Sequence, residues 1–505
     1  MDTNEHRDIG DAITVKLRDN PYLALNENKT SLTMMSLING IPQPLDTLKL
    51  TLGEIVAMPD YFTDPDWNVR LQLESCQKYS SVEDLGKELI RREVSDGEEK
   101  ALLDALHDLA NPKRKRSSVD TVFKIASASY FPVKSVNDLI QQVMYYFRVK
   151  HYDKKLDKNQ THFTPWSVRV YTIGHTMALD YAQTAYQLKK LAQEPSFRSD
   201  NPFYLKTVNH LVDHNQLTPE LLQAFAHRYH AMSFEIEMYT AHYLSDHFAA
   251  GHMSLVGDLR VEFPEKFGFL GGIAVNTMHN ELNRISVYTK KPYDPTPNEK
   301  DAPVDAFGDG TFDQCKNAYN KQACIESLQA SVADLEAVLD GQQRPDPESY
   351  GALSYLPDVD YNYRQPEPMF LYHNKKIWVR GDLKKIRMIG PDDFDQLQQH
   401  PKSWGYKEVS GKLQLLYILF KLRVLPFYNT KEIPLSAKDE LTIKEQESGR
   451  IKERQPIPAP PCGLHVVPEL KETAFFEKGG SPYLNYAEKV KGEEASEIPK
   501  NMVLN

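Results

Sequence analysis

The segment Ala241–Met253, AHYLSDHFAAGHM, constrains this chain more than any other stretch of it. His242 and Asp246 stand four residues apart, so on a helix they share one face and can grip one metal ion. They close a longer run, Pro219–Asp246, whose apolar residues recur at the three- and four-residue spacing of a helix. Thr218 and Pro219 open that run as an N-cap and first-turn pair. His252 follows six residues after Asp246. Helical geometry alone does not aim it at the same ion, but Gly251 can break the helix and turn the chain back. Taken alone, the His242/Asp246 pair reads equally well as an ion pair on a helix surface. A fold that uses the whole segment must bring further ligands to the end of this helix.

Other pieces supply candidates. His279 and Asn283 in MHNELN repeat the four-residue spacing, with Glu281 between them. His162 lies in Asn159–Pro165, NQTHFTP, ahead of a proline that ends a loop or starts a helix. Asp60 stands between Pro59 and Tyr61, and His6 lies close to the N-terminus. A lone His162 or His6 is more often a hydrogen-bonded core or surface residue than a ligand, by about three to one. His175, His227 and His230 also lie on helical segments and read as packing or surface residues. The joint pattern is what carries chemistry.

That pattern, His242-Tyr-Leu-Ser-Asp246 followed by His252, resembles the signature of the zinc-dependent phospholipase C superfamily, which also includes single-strand-specific zinc nucleases. Thr161-His162-Phe163 and Pro59-Asp60-Tyr61 are similar to two further family segments, and His6 with Ile9 and Ala12 to its N-terminal histidine face. The segments LTLGEIVAMPDYF, NQTHF, IGHTMAL, HYLSDHFAAGHM and MHNELN resemble, in the same order, the branch found in Gram-negative pathogens. The likeness covers roughly residues 1–290. It implies a helical catalytic core holding two to three Zn²⁺ ions in one cleft. One ion would take Asp60, His162, His242 and Asp246, with Asp246 bridging to a second held by His6. A third would take His252, His279 and a nearby carboxylate or amide; Asn283 occupies the family's carboxylate position, with Glu281 as substitute. Glu5 or a free terminus would complete the His6 site. Asp60 is the implied general base, and the implied reaction cleaves the glycerol-side phosphodiester of a glycerophospholipid such as phosphatidylcholine.

Composition sets the wider frame. A chain of 505 residues with 41% hydrophobic and 26% charged residues suits a multi-domain globular protein. Residues 1–350 read as mainly helical, with Val136–Tyr146, Ser167–Ala192 and Ala323–Leu339 periodic like Pro219–Asp246. Residues 351–454 read as a smaller region containing β-structure, with a hairpin at Met369–Arg380. Residues 455–505 read as a proline-rich linker, Gln455–Pro461, and a polar tail. Asn111–Ser118, with its KRKR run, and Pro292–Gly310 read as exposed loops. The fold class expected is therefore mainly α, with a smaller C-terminal β-containing region.

The net charge of −10 argues against a nucleic-acid partner, since phosphate backbones recruit basic surfaces. It does not argue against phosphate-ester chemistry through bound cations. The partner expected is a phospholipid at a membrane surface; nothing sets the oligomeric state. Phe370, Trp378 and Phe427 read as core residues ahead of a bilayer contact, by about two to one. Cys76, Cys315, Cys324 and Cys462 form no CxxC pair, and Cys315 and Cys324 read equally well as free thiols or as a small disulfide loop. The N-terminus has no apolar signal segment, and Leu413–Leu425 falls short of a bilayer span. With its glutamate-rich end, the chain is similar to substrates of type IV translocation systems, so the expectation is a soluble effector exported from a bacterium. The alternatives are a nuclease or other phosphodiesterase on the same metal core, and a non-enzymatic binding protein that has lost its metals. The last rests only on Asn283.

Overall fold

Two helices of 28 residues each, Trp166–Gln193 and Pro219–Asp246, pack along one another and are buried over most of their length. The computed structural model describes residues 2–63, 86–132, 134–157, 159–253, 256–290, 304–360, 363–425 and 431–432. In chain order the helices are α1 (Thr3–Asp11), α2 (Leu52–Val56), α3 (Pro59–Phe62), α4 (Asp96–Leu109), α5 (Arg116–Ala126), α6 (Lys134–Arg148), α7 (Tyr152–Asp157) and α8 (Trp166–Gln193). There follow α9 (Pro202–Asp213), α10 (Pro219–Asp246), α11 (Val256–Phe267), α12 (Phe269–Ile285), α13 (Ala318–Leu339), α14 (Pro391–Gln399) and α15 (Lys412–Val424). The protein is mainly helical, with small sheets in the C-terminal region.

The local chemistry that starts these helices also aims the site. Thr218 Oγ1 accepts from Leu221 N–H, and Pro219 fills the first turn of α10. Asp2 and Glu5 form a capping box on α1, as Thr51 and Glu54 do on α2. The two short helices cross at bare backbone: a Cβ on Gly53 would lie 2.0 Å from Arg7 O. Only glycine permits that approach, which seats α1 against α2 with His6 facing inward.

One departure from the sequence reading lies in the N-terminal part. Strands β1 (Leu23–Asn26), β2 (Lys29–Ile38) and β3 (Ile41–Thr51) form an antiparallel meander. β2 packs on α10, where the buried Glu235 carboxylate accepts from Met35 N–H at 2.5 Å. Residues 32–36 of β2 are buried without a break, so the apolar alternation of a half-exposed strand is absent there.

Two hydrophobic cores meet at the end of α10. The larger joins α1, α2, β2, α4, α5, α8, α9, α10 and α13. The second joins α11 and α12 to α15 and to C-terminal strands, through Phe263, Val275, Met278, Phe370, Ile377, Leu415 and Ile418. Both cores draw on residues to either side of position 350: the larger takes Tyr350 and Leu356, and the second takes Phe163 and Trp166. β4 (Val287–Lys290), β5 (Val304–Ala306) and β6 (Asp358–Val359) form a small antiparallel sheet; β7 (Gln365–Pro366) pairs separately. β8 (Phe370–His373) and β9 (Lys376–Val379) make the expected hairpin, with Asn374 and Lys375 both at positive φ in its turn.

The four helices read from periodicity form, and α10 has the expected bounds. Part of the KRKR run is structured: Arg116 opens α5 and pairs with Glu54 and Asp120. Cys324 is buried and free, so it closes no disulfide with Cys315. Cys76, Phe427, Cys462, residues 291–303, the proline-rich segment and the tail lie outside the described residues.

Candidate metal centre

Five imidazoles and three carboxylates gather where the two cores meet, in three groups that could each hold a metal ion. Their ligand atoms lie within 4.8 Å of one another inside each group: His6, His242 and Asp246; Asp60, His162 and His242; His252, His279 and Asp309. The last turns of α10 supply His242 and Asp246. α1 supplies His6, α3 supplies Asp60, and the turn before α8 supplies His162. His252 ends the short turn between α10 and α11, and His279 projects from α12.

Most of the imidazoles are held by one nitrogen, which leaves the other for the cluster. His242 Nδ1 donates to Val56 O at 2.8 Å, and His252 Nδ1 to His162 O at 2.6 Å. His6 Nδ1 meets Ser245 Oγ at 2.9 Å, and His279 Nδ1 meets Asn280 Oδ1 at 2.9 Å. The opposite nitrogens turn inward. His6 Nε2 lies 3.2 Å from Asp246 Oδ1, and His242 Nε2 lies 3.3 Å from Asp246 Oδ2. His162 Nδ1 approaches Asp246 Oδ2 at 2.8 Å and Asp60 Oδ1 at 3.6 Å; His279 Nε2 approaches Asp309 Oδ2 at 3.4 Å. One nitrogen anchored outside the cluster and the other turned into it is the arrangement that orients metal-binding histidines. His6 Nε2 is also buried without a hydrogen bond, a polar orphan that a cation would satisfy.

The electrostatics favour neutral imidazole beside ionised carboxylate, the forms that bind metal. Burial pushes His6 down to about 4, helped by His242, and it drives His252 and His279 down as well. Burial alone would raise the three aspartates, yet nearby histidines among the surrounding charges hold Asp60, Asp246 and Asp309 below the usual carboxylate range. Burial opposes charge on His242, but Asp246 and Asp60 outweigh it and raise that group. The set of imidazole and carboxylate donors fits a borderline transition metal such as zinc.

Seven of the nine residues singled out by sequence converge here; Glu281 and Asn283 stand outside the three groups. Glu281 turns away, and its two oxygens take bidentate bonds from Arg380 at 3.0 and 2.9 Å in a buried pair joining α12 to the end of β9. Asn283 braces the backbone: its Oδ1 accepts from Gly251 N–H at 2.5 Å, and its Nδ2 lies 3.1 Å from His279 Nε2. Its own carbonyl accepts from Gly308 N–H and Thr311 Oγ1. A Cβ on Gly308 would sit 1.8 Å from Asn283 Oδ1, so only glycine lets this loop come close enough to deliver Asp309.

Asp309 was missed because its segment reads as an exposed Pro/Asp/Gly loop, and nothing in its spacing ties it to His279. The flanking Gly308 and Gly310 were the available signal. Glu5 is engaged as the α1 cap and accepts from Phe312 N–H at 3.0 Å.

The centre opens on a cavity of about 170 Å³, lined by Asp60, His162, Asp246, His252, His279 and Asp309. Its wall adds two cations, Lys155 and Arg260, with Tyr61, Tyr152 and Phe163. Burial lowers Lys155 to about 8, with Asp108 at 3.8 Å opposing the shift. Compared with family models, with curated proteins and with solved structures, the chain matches none.

Proposed function

We propose that this protein is a zinc-dependent phospholipase C. The observation that carries the reading is the convergence of five histidines and three aspartates, six of which line one cavity together with Lys155 and Arg260. Bound zinc lowers the pKa of water towards ~7 and stabilises charge on phosphoryl oxygens. The chain's own residues do the rest. Asp60 is the most exposed of the three aspartates that line the cavity, so it is placed to orient the attacking water and accept its proton. Lys155 and Arg260 attract the anionic phosphodiester into the cleft. Water oxygen bonds to phosphorus and the bond from phosphorus to the glycerol oxygen breaks. Diacylglycerol leaves, and the phosphorylated headgroup remains.

The binding-protein alternative drew on Asn283 standing where a carboxylate is expected. Asp309 supplies a carboxylate beside His279, which removes that support. The net charge of −10 weighs against a polynucleotide substrate. Hydrolysis of a phospholipid panel and of single-stranded DNA, with and without chelator, tests the reading. Diacylglycerol release is expected to be chelator-sensitive and to fall by more than about 100-fold in His242→Ala, since even the outer partners of metal ligands cost 10–100-fold. Lipid cleavage undiminished in that variant overturns it, and cleavage of DNA alone replaces it with a nuclease.

A further inference from the structure

α15 is apolar on all sides, which in a globular protein is the pattern of a fully buried or membrane-contacting helix. Yet it is only half covered. Leu415, Ile418 and Leu419 enter the second core. Leu413, Leu416, Tyr417 and Phe420, at the spacing of one helical face, point outward. α6 repeats the feature with Val143, Tyr146 and Phe147. These seven side chains are between 46% and 83% exposed.

The two faces adjoin at the mouth of the metal cleft. Arg423 of α15 donates to Gln142 Oε1 of α6 at 3.4 Å and to Thr277 Oγ1 of α12 at 3.1 Å. Gln142 lines the cavity, as does Asn276 beside Thr277. Phe420 lies one helical turn from Arg423, and Tyr146 one turn from Gln142, so each apolar face begins at the bridge between the helices.

Charge selects the partner. The chain carries −10 overall, yet residues 412–425 and 140–150 contain no aspartate or glutamate; the one acid of α6, Asp138, precedes its exposed face and acts on Arg423. They hold Lys412, Lys421, Arg423, Arg148 and Lys150 instead. Lys421 Nζ sits 4.3 Å from the Tyr417 ring centre, a cation riding on an apolar face. Apolar and aromatic side chains edged by lysine and arginine suit the boundary between acyl chains and anionic headgroups.

We propose that the outward faces of α6 and α15 form a docking surface for a phospholipid bilayer, holding the cleft mouth against it. The choice of a lipid over a protein partner rests on the hydrolase reading above. The surface is adjacent to the metal centre but includes none of its ligands, so binding and chemistry are separable.

The test is co-flotation of the full chain with vesicles of phosphatidylcholine and phosphatidylglycerol. Its companion assay is hydrolysis of a short-chain phosphatidylcholine below its micellar concentration. Two variants are compared with wild type: Leu416→Ser/Phe420→Ser and Tyr146→Ser/Phe147→Ser. Each is expected to weaken vesicle partition by at least about tenfold, since two large apolar side chains lose their burial. Lys412→Glu/Lys421→Glu is expected to weaken binding more on anionic vesicles than on phosphatidylcholine alone. Thermal midpoints and turnover of the monomeric lipid stay at wild-type values. Vesicle binding by a chain that cleaves no phosphodiester upholds the docking surface and sinks the hydrolase reading. Equal vesicle partition by wild type and both serine variants overturns the proposal, as does a wild-type dimer that these substitutions dissociate without any vesicle binding.

Discussion

α10 carries two buried histidine–carboxylate clusters, and they are built for different ends. At its C-terminal end, His242 and Asp246 meet imidazoles from α1 and from the turns before and after, and the group faces a cavity. Further back, Glu237 accepts from His175 Nδ1 at 2.8 Å, while Asp334 lies 3.5 Å from the Nε2 of that ring. Ser331, Tyr171 and Tyr350 pack around this second group, and none of them lines the cleft. In the first cluster histidines crowd together and turn nitrogens towards shared carboxylates. In the second a single histidine stands among carboxylates and hydroxyls, with Glu237 and Ser331 on its Nδ1 and Asp334 3.5 Å from its Nε2. Burial of a histidine with an acid therefore does not by itself make a candidate metal site; several imidazoles and carboxylates crowded beside an opening do.

The sharpest way to break this comparison is to remove the acid from the second cluster. Glu237→Ala strands His175 in the core and is expected to cost about 3–5 kcal/mol of stability. Zinc per chain, measured by elemental analysis on the folded fraction, is expected to stay at its wild-type level. Glu237→Gln keeps the shape and serves where alanine folds poorly. Loss of metal from either folded variant would merge the two clusters into one functional unit.

Within the first cluster, Asp309 and Glu281 offer a finer contrast, because both are acids near His279 and only Asp309 faces it. Asp309→Asn is expected to weaken one bound ion by at least roughly 10–100-fold, read by competition with a chelating dye. Glu281→Gln breaks the buried pair with Arg380 and is expected to lower the unfolding midpoint while the ions stay bound. The opposite assignment of these two outcomes would return Glu281 to the ligand set.

Legibility in the sequence followed the range of the interactions. α10 was readable end to end, because its cap, its first-turn proline and its two ligands at i and i+4 are all local signals. Five more candidates, His6, Asp60, His162, His252 and His279, carried motif context, and they converge with those two. Glu281 misled because it sits between His279 and Asn283; its partner Arg380 lies far along the chain, beyond reach of any spacing rule. Asp309 was hidden for the converse reason: its neighbours in space, His279 and Asn283, belong to another element. The N-terminal meander was missed because the middle of β2, Leu32 to Ser36, is buried without a break and its mix of apolar and polar residues keeps no strict two-residue alternation. The seven outward apolar residues of α6 and α15 could not be told from core, since periodicity reports a face and not what covers it.

The last expected effect concerns pH, and it isolates the second cluster. Burial opposes charge on His175, but Glu237 and Asp334 outweigh it and raise the group to about 9. A histidine raised above its ordinary value of about 6.5 binds its proton more tightly when folded than when unfolded. Its contribution to stability is therefore complete below pH 6.5 and is lost as pH rises through about 9. The loss is on the order of 1 kcal/mol for each pH unit crossed in that window. Other groups titrate over the same range, so the difference between wild type and His175→Gln carries the signal. Urea unfolding at several pH values across the window is expected to show the wild-type advantage shrinking as pH rises, with zinc content equal in the two proteins. Parallel pH profiles would mean that His175 is neutral in the folded core. Its contacts with Glu237 and Asp334 would then be hydrogen bonds alone, and the contrast between the clusters would rest on their geometry.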